Sequence, residues 1–471
     1  MSMDVILRMT GNQKASLYQH LFPDDGREAV ALALCGRRDG PDRHCLSVCK
    51  IELIPYDECE RRADSITWPT DRLIGLFQEA ARRGMAVVKL HSHPGGYDRF
   101  SEFDDASDKE FFDAAVSWTE SLLPHASVIA LPCGRIFGRT QTPSGQFQPL
   151  ELISVAGESI EYWFDQPSEF VPEFADRHAQ VLGDATIIVM RRLRAVVVGC
   201  SGTGSPTVEQ LYRLGIGELV LVDPDLVGVE NLNRIVNSRD ADVQQNRPKV
   251  RVLEQAINDT GLGTAVIALP QDLIDPTVIR QVATCDVIFG CVDSVFARHV
   301  LNKLASTYCI PYFDIGIGLK ADGNGGISHV SGAINYLQPD GSSLMSRGAF
   351  SLDDVQADAL RRANPEEYAD RVASGYIAGA DVARPAVITV NMIFSGLGVF
   401  EFLNRLHQMR DEPNAGFAMQ RISLSHNFSD VSGDGARCMV VSRYLGRGDL
   451  QPLLGMPELS KGAEVEHGVR G

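Results

Sequence analysis

Residues 194–223 limit the architectures open to this chain more than any other stretch. Arg194-Ala-Val-Val-Val-Gly199 is a short β-branched run of the kind found in strands buried on both faces. It enters a glycine-rich turn, Cys200-Ser-Gly-Thr-Gly204, and then a helical pattern that ends near Gly215. A second apolar run, Gly217-Glu-Leu-Val-Leu-Val, closes on Asp223. Strand, glycine turn, helix and strand in this order make a βαβ unit, whose two strands lie parallel in a sheet covered by helices. The turn's bare amides and the helix N-terminus favour a phosphate, and Asp223 can accept from ribose hydroxyls.

A glycine turn of this kind serves NAD as readily as ATP, so the residues after it decide. Asp223 is followed by Asn231, Asn233 and Arg234, and then by Arg247-Pro-Lys249. A hydride-transfer site has no use for clustered amide, guanidinium and ammonium groups just past its ribose acid. An adenylating site does, because it must hold a triphosphate and neutralise the departing pyrophosphate. A further buried run, Asp286-Val-Ile-Phe-Gly-Cys291, leads to Asp293, an acid at a strand's carboxyl end, where Mg²⁺ is commonly held.

A second centre lies upstream. Met85-Ala-Val-Val-Lys-Leu90 reads as a strand, so His91 and His93 leave its end on one side. Pro94-Gly95-Gly96 breaks the strand, and Ser101-x-x-Asp104 has the pattern of a capping box opening a helix over residues 106–118. Two imidazoles and a carboxylate give zinc three ligands and leave the fourth position to water, as a hydrolytic site needs. Such a site also requires a separate carboxylate as general base.

Residues 1–150, with Glu28, His91, His93, Pro94, Ser101 and Asp104 in order, resemble a JAB (MPN-type, JAMM) metalloprotease domain. The resemblance implies that His91, His93 and Asp104 bind Zn²⁺ and that Glu28 shuttles the proton of the zinc-bound water. It also implies that Ser101 helps to stabilise the oxyanion. That family cleaves peptide or isopeptide bonds after the C-terminus of ubiquitin-like proteins.

Residues 175–410 are similar to the ThiF/MoeB family, the adenylation domain of ubiquitin-activating enzymes. By that resemblance Gly199, Gly202 and Gly204 lie under the nucleotide, Asp223 holds the ribose, and Asn231, Arg234 and Lys249 meet the phosphates of ATP. Asp293 would coordinate Mg²⁺, and Arg177 takes the place of the arginine that family dimers donate across their interface. A homodimer is expected on the same ground. Residues 385–403 resemble the family's late core helix.

The expected fold is α/β in four parts. Residues 1–150 form the JAB/JAMM zinc metalloprotease domain, and 151–190 a linker and helical lead-in. Residues 191–410 form the Rossmann-like ThiF adenylation domain with a mostly parallel sheet, and 411–471 a C-terminal extension. A chain of 471 residues is too long for one ordinary domain. Its net charge of −17 speaks against nucleic acid and anionic membranes as partners. The ten cysteines show no Cys-x-x-Cys pair, and no secretory leader or long apolar run is evident, so the expected location is cytoplasmic with reduced thiols.

Two departures from the adenylating family carry information. Ser201 replaces the middle glycine of the turn. No cysteine lies between Cys309 and Cys438, the span in which thioester-forming relatives place their nucleophile and many bind structural zinc; Ser342-Ser-Leu-Met-Ser346 stands where the first zinc pair would be. The expectation is therefore no structural zinc there, with Cys438, Cys200 and Cys291 as packing residues.

Three readings remain open. In the first, a bacterial ubiquitin-like protein is trimmed or deconjugated by one half and adenylated at its C-terminal carboxylate by the other, with a conjugating enzyme as a further partner. In the second, the adenylate of a sulfur-carrier protein is attacked by a sulfur donor. In the third, both centres bind tails without turnover.

Overall fold

The computed structural model describes residues 3–165, 170–322, 324, 326–374 and 386–459. The chain divides into two compact units, Met1–Ser168 with Ser306–Cys309 and Arg443–Gly471, and Glu169–Ala305 with Ile310–Ser442.

The first unit contains β1 (Asp4–Thr10), α1 (Gly11–Leu21), β2 (Val30–Asp39), β3 (Arg43–Leu53), a short hairpin of β4 (Glu60–Arg61) and β5 (Ile66–Thr67), α2 (Asp71–Arg83) and β6 (Ala86–Ser92). There follow α3 (Glu102–Thr119), β7 (Ala126–Ala130), β8 (Ile136–Gln141), β9 (Phe147–Pro149), β10 (Leu152–Ala156) and β11 (Ile160–Phe164). Nine strands form one mixed sheet in the order β11-β10-β1-β3-β2-β6-β7-β8-β9. The continuous apolar run of β2 is explained by helices on both sides. Ala31, Ala33 and Cys35 join Leu17 and Leu21 of α1 in one core. Val30, Leu32 and Leu34 join Leu73 and Phe77 of α2 and Phe111 and Phe112 of α3 in the other. Successive strand residues point to opposite faces, so a strand covered on both must be apolar throughout.

Residues 151–165 are not a linker. β10 lies parallel to β1, with Ile6 opposite Leu152, and β11 returns antiparallel beside it. Of the acids that give this stretch its linker-like composition, Glu161 lies on β11 and pairs with Lys14 of α1 at 2.5 Å, and Glu158 sits in the turn that joins β10 to β11. A parallel strand far from its partner in sequence leaves no hairpin signal to read.

The second unit runs α4 (Asp176–Leu182), α5 (Asp184–Arg192), β12 (Arg194–Val198), α6 (Gly204–Arg213), β13 (Glu218–Val222), α7 (Asp240–Gln244), α8 (Lys249–Thr260), β14 (Ala265–Leu269), α9 (Pro276–Val282) and β15 (Val287–Gly290). It continues with α10 (Val295–Tyr308), β16 (Tyr312–Ala321), β17 (Ile327–Leu337), α11 (Leu352–Ala363), α12 (Pro365–Ala373), α13 (Ile388–Leu406), β18 (Met419–Ser423) and β19 (Phe428–Ser432). Pro385, the first residue of the stretch that resembles the family's late core helix, lies outside the described residues. Its sheet has the order β14-β13-β12-β15-β16-β17-β18-β19. The first five strands are parallel, and β16 to β19 pair antiparallel. From β12 the chain builds outward through β13 and β14, then crosses to β15 and β16 on the other side. The carboxyl ends of β12 and β15 flank the crevice where such sheets bind ligands. Among the described residues no helix is long and apolar enough to cross a membrane.

Candidate functional site

Sheet register assembles the first centre. In the antiparallel ladder of β2 and β6, Val30 stands opposite His91. The ladder extends one step further: Ala29 N–H donates to Ser92 Oγ at 3.0 Å, and Ser92 N–H donates to the Ala29 carbonyl at 3.1 Å. The next residue on one strand is Glu28 and on the other His93. The Glu28 backbone is also held from the β4–β5 hairpin, donating to the Arg62 carbonyl and accepting from Arg61 Nε, both at 2.7 Å.

The third ligand comes from α3. Ser101 is its N-cap, with its hydroxyl accepting from Asp104 N–H at 3.2 Å and donating to Asp104 Oδ2 at 2.7 Å; Ser101 N–H donates to the same oxygen at 2.7 Å. This capping box starts α3 at Glu102, earlier than residue 106, and turns the carboxylate toward the histidines. His91 Nε2 is 3.0 Å from Asp104 Oδ1, His93 Nε2 is 3.4 Å from Asp104 Oδ2, and the two Nε2 atoms are 3.2 Å apart. Glu28 Oε1 lies 3.9 Å from His93 Nε2. The His91, His93 and Asp104 ligand atoms all lie within 4.8 Å of one another, all three residues being buried. His93 Nδ1 stands 2.8 Å from the Tyr97 carbonyl, which holds the ring proton on Nδ1 and leaves the Nε2 lone pair facing the cluster. The donor set therefore fits a zinc ion with an open position.

Burial pushes the Glu28 carboxyl up to about 7; His93 opposes the rise and Asp104 adds to it. For Asp104 burial acts in the same direction, but hydrogen bonds with His91 and His93 outweigh it and hold the carboxyl well below the usual range. Burial also lowers His91. His93 resists that effect through Asp104 and the Tyr97 carbonyl and is raised. One carboxylate is fixed as an anion while its neighbour can exchange a proton near neutrality, a division of roles suited to general acid–base chemistry.

The second centre lies at the carboxyl ends of β12, β13 and β15. Gly199 adopts φ +87°, and a Cβ on it would come within 2.6 Å of the Cys291 carbonyl oxygen. A Cβ on Gly204 would lie 1.7 Å from the Gly199 carbonyl oxygen, so the turn closes on itself only with glycine at both positions. Asp223 Oδ2 accepts from Cys200 N–H at 2.7 Å, and Oδ1 from Asp225 N–H at 2.9 Å. Burial raises the Asp223 carboxyl against the pull of Lys249, whose Nζ lies 3.7 Å from Asp223 Oδ1 and 2.7 Å from Asp225 Oδ2. Arg234 stands beside Gly202, its Cδ 3.1 Å from a Cβ built there. Asn231 is buried with its side-chain oxygen accepting from Gly228 N–H at 3.0 Å, which shapes the loop between Asp223 and Arg234. Asp293 follows β15 and is exposed. Arg177 is exposed on α4; its side chain makes no hydrogen bond or ion pair among the described residues and is not brought into this cluster.

Sequence spacing gave no sign of three further features. Arg298 of α10 grips Asp314 of β16 with two hydrogen bonds, 2.7 and 2.5 Å, while Tyr312 OH and Asn335 Nδ2 also donate to Asp314, each at 3.1 Å. Beyond them a cavity of about 500 Å³ opens over β16 to β18, with Gly316, Gly318 and Gly332 among its lining and Arg298, Arg347 and Arg421 around it. Asn391 of α13 packs against Gly202. Each depends on a contact between segments far apart in the chain.

In the stretch where the sequence resemblance led to the expectation of no structural zinc, Arg347 joins the segments directly. It donates to Ser342 Oγ at 2.8 Å, to the Ala418 and Tyr336 carbonyls at 2.7 and 2.8 Å, and to Asp434 at 3.0 Å. Ser343 Oγ donates to Cys438 Sγ at 3.0 Å, and Cys438 is buried. Burial pushes the Cys291 thiol up to about 12 and Cys200 well above its usual value.

A glycine turn at the switch point of one α/β sheet and a His-His-Asp cluster on another define a two-centre protein. The chain belongs to the ThiF family, which matches residues 175–438, and it carries ahead of this a match to prokaryotic homologues of the JAB domain over residues 13–133. It is 29% identical over 161 residues to ubiquitin-like modifier-activating enzyme 5 of Drosophila pseudoobscura pseudoobscura, covering 32% of this chain and 38% of that protein. It is 31% identical over 148 residues to the SAMP-activating enzyme E1 of Haloferax volcanii, covering 31% and 50%. Adenylyltransferase and sulfurtransferase MOCS3 of Danio rerio is 31% identical over 121 residues, covering 26% of each. The matched stretch thus spans half or less of each relative. Among solved structures, E. coli MccB with ATP aligns at 18% identity and a TM-score of 0.42, covering 58% of this chain and 75% of that one.

Proposed function

We propose that this chain is bifunctional: a zinc-dependent peptidase or isopeptidase acting at the C-terminal tail of a ubiquitin-like protein, and an ATP- and Mg²⁺-dependent adenylating enzyme for that tail's carboxylate. The observation that carries the reading is the convergence of Glu28, His91, His93 and Asp104 in one buried cluster on the same chain as a ThiF unit. Relatives named for activating ubiquitin-like modifiers or SAMP support the substrate class. A bacterial ubiquitin-like conjugation system is the setting we infer.

In the peptidase, His91, His93 and Asp104 would hold the ion. Zinc, when bound, supplies Lewis acidity and lowers the pKa of its water. Glu28 takes the proton of the attacking water and passes it to the leaving amine, the role for which burial tunes its carboxyl. Ser101 fixes Asp104 through the cap, and serving the oxyanion requires its hydroxyl to leave Asp104 Oδ2.

In the adenylating unit, a carboxylate oxygen of the tail attacks the α-phosphorus of ATP and pyrophosphate departs. The turn amides around Gly199, Gly202 and Gly204 cradle phosphate, Asp223 takes the ribose, and Arg234 and Lys249 meet the phosphates once Lys249 exchanges Asp225 for them. Asn231 shapes that loop, and Asp293 would hold Mg²⁺. The glycine-lined cavity past β15 is the place for an extended tail. Arg177 serves the active site of a second copy in a homodimer, which gives its exposure a use.

Buried Cys438 favours a second reading, in which the adenylate of a sulfur-carrier protein is taken by an external sulfur donor without an enzyme thioester. Pyrophosphate exchange with glycine-ended ubiquitin-like proteins tests the activation. Exchange that Asp293→Ala abolishes is expected, and none with any tail would remove the claim. A thiol-labile thioester lost in Cys438→Ala would overturn the sulfur-carrier reading.

A further inference from the structure

The three glycines of the nucleotide turn answer to different demands. Gly199 is dictated by its positive φ and the Cys291 carbonyl, and Gly204 by the Gly199 carbonyl. Gly202 is different: a Cβ on it would meet Asn391 Nδ2 at 2.3 Å and Asn391 Cγ at 3.3 Å. Gly202 is thus glycine because a carboxamide from α13 lies flat against the turn, beside Arg234.

Asn391 is 5% exposed. Its Nδ2 donates to Thr203 Oγ1 at 3.4 Å, and its Oδ1 is buried with no hydrogen-bond partner among the described residues. One helical turn on, Ser395 bonds Thr207 Oγ1 at 2.8 Å and accepts from Gln210 Nε2 at 3.0 Å. Polar rungs at 203/391 and 207/395 therefore tie α13 to the start of α6 and hold the Asn391 amide against the turn at Gly202. An unmatched buried amide oxygen is destabilising, and a ligand that brings a donor removes that cost.

The chemistry of that donor narrows the ligand. Phosphate oxygens only accept hydrogen bonds, so the triphosphate cannot satisfy Oδ1. The donors of ATP are on its adenosine: the ribose hydroxyls and the exocyclic amine. Resting on the adenylation reading, we propose that Asn391 is a specificity-determining residue of the nucleotide site, its Oδ1 accepting a hydrogen bond from the adenosine.

The test is calorimetric binding to the full chain of the Mg²⁺ complexes of ATP, 2′-deoxy-ATP, 3′-deoxy-ATP and inosine triphosphate, which lacks the exocyclic amine. Wild type is compared with Asn391→Leu, which keeps the branched shape, and with Asn391→Ala. Both variants should bind ATP about tenfold more weakly, the scale of one hydrogen bond. One analogue should show the same loss on wild type and no further loss on either variant, because the shared bond is already gone. That analogue identifies the donor. Wild-type ATP affinity in the variants, or an equal loss for all four nucleotides, would overturn the assignment. A wild-type chain that binds none of them removes the adenylation reading itself, a result distinguishable from failure of Asn391 alone.

Discussion

Glu28 shows how one residue's role depends on register. It precedes β2 and is unremarkable alone, yet pairing of Val30 with His91 carries it toward His93. Glu28→Gln keeps the shape and removes the base, so cleavage of a ubiquitin-like fusion should fall about 10²- to 10⁴-fold while zinc content stays unchanged. Loss of zinc in the variant would assign Glu28 to metal binding instead. A carboxyl raised from 4.5 to about 7 is neutral below that pH and cannot accept a proton. Cleavage should therefore fall with pH on an acid limb lying between those values, since bound zinc draws it downward from 7. A rate flat from pH 5 to 8 would contradict the assignment. His93, whose pKa is raised by Asp104 and the Tyr97 carbonyl, must lose its proton to bind the ion, so zinc affinity measured by competition should weaken as pH falls.

At the scale of elements, what sequence spacing could show was local. Strand, glycine turn and helix over 194–213 follow from β-branched runs and from glycines the turn cannot replace. The Ser101–Asp104 capping box was readable because both partners lie in one turn of helix. β10 and β11 were not, because β10 takes its parallel partner β1 from far away in sequence and the acids of the β10–β11 hairpin imitate a linker. Nor was Asn391, whose partner Gly202 belongs to another segment. The turn makes its own prediction: Gly204→Ala forces Cβ onto a backbone carbonyl and should abolish ATP binding, whereas Gly202→Ala meets the end of a side chain and should weaken it less. Equal effects in calorimetry would contradict this packing. Ser101→Ala removes the cap of α3 and should cost about 0.5–2 kcal/mol in the first unit's stability, read from denaturant unfolding, with weaker zinc binding.

For the molecule as a whole, the first unit is not the N-terminal segment alone. Gly36 N–H donates to the Gly446 carbonyl at 2.9 Å, and Asp449 N–H to the Arg37 carbonyl at 2.8 Å, so the stretch after Arg443 completes it. A chain ending at residue 442 should unfold that unit at lower denaturant, and an unchanged midpoint would show the stretch to be dispensable. The central claim is that two independent chemistries share one chain. It is tested most directly by assaying one preparation for cleavage of a ubiquitin-like fusion and for pyrophosphate exchange, with and without a zinc chelator in excess Mg²⁺, and again with Asp293→Ala. The account predicts that the chelator abolishes cleavage and spares exchange, while Asp293→Ala abolishes exchange and spares cleavage. Loss of both activities under either treatment, or absence of one from the untreated protein, would contradict it.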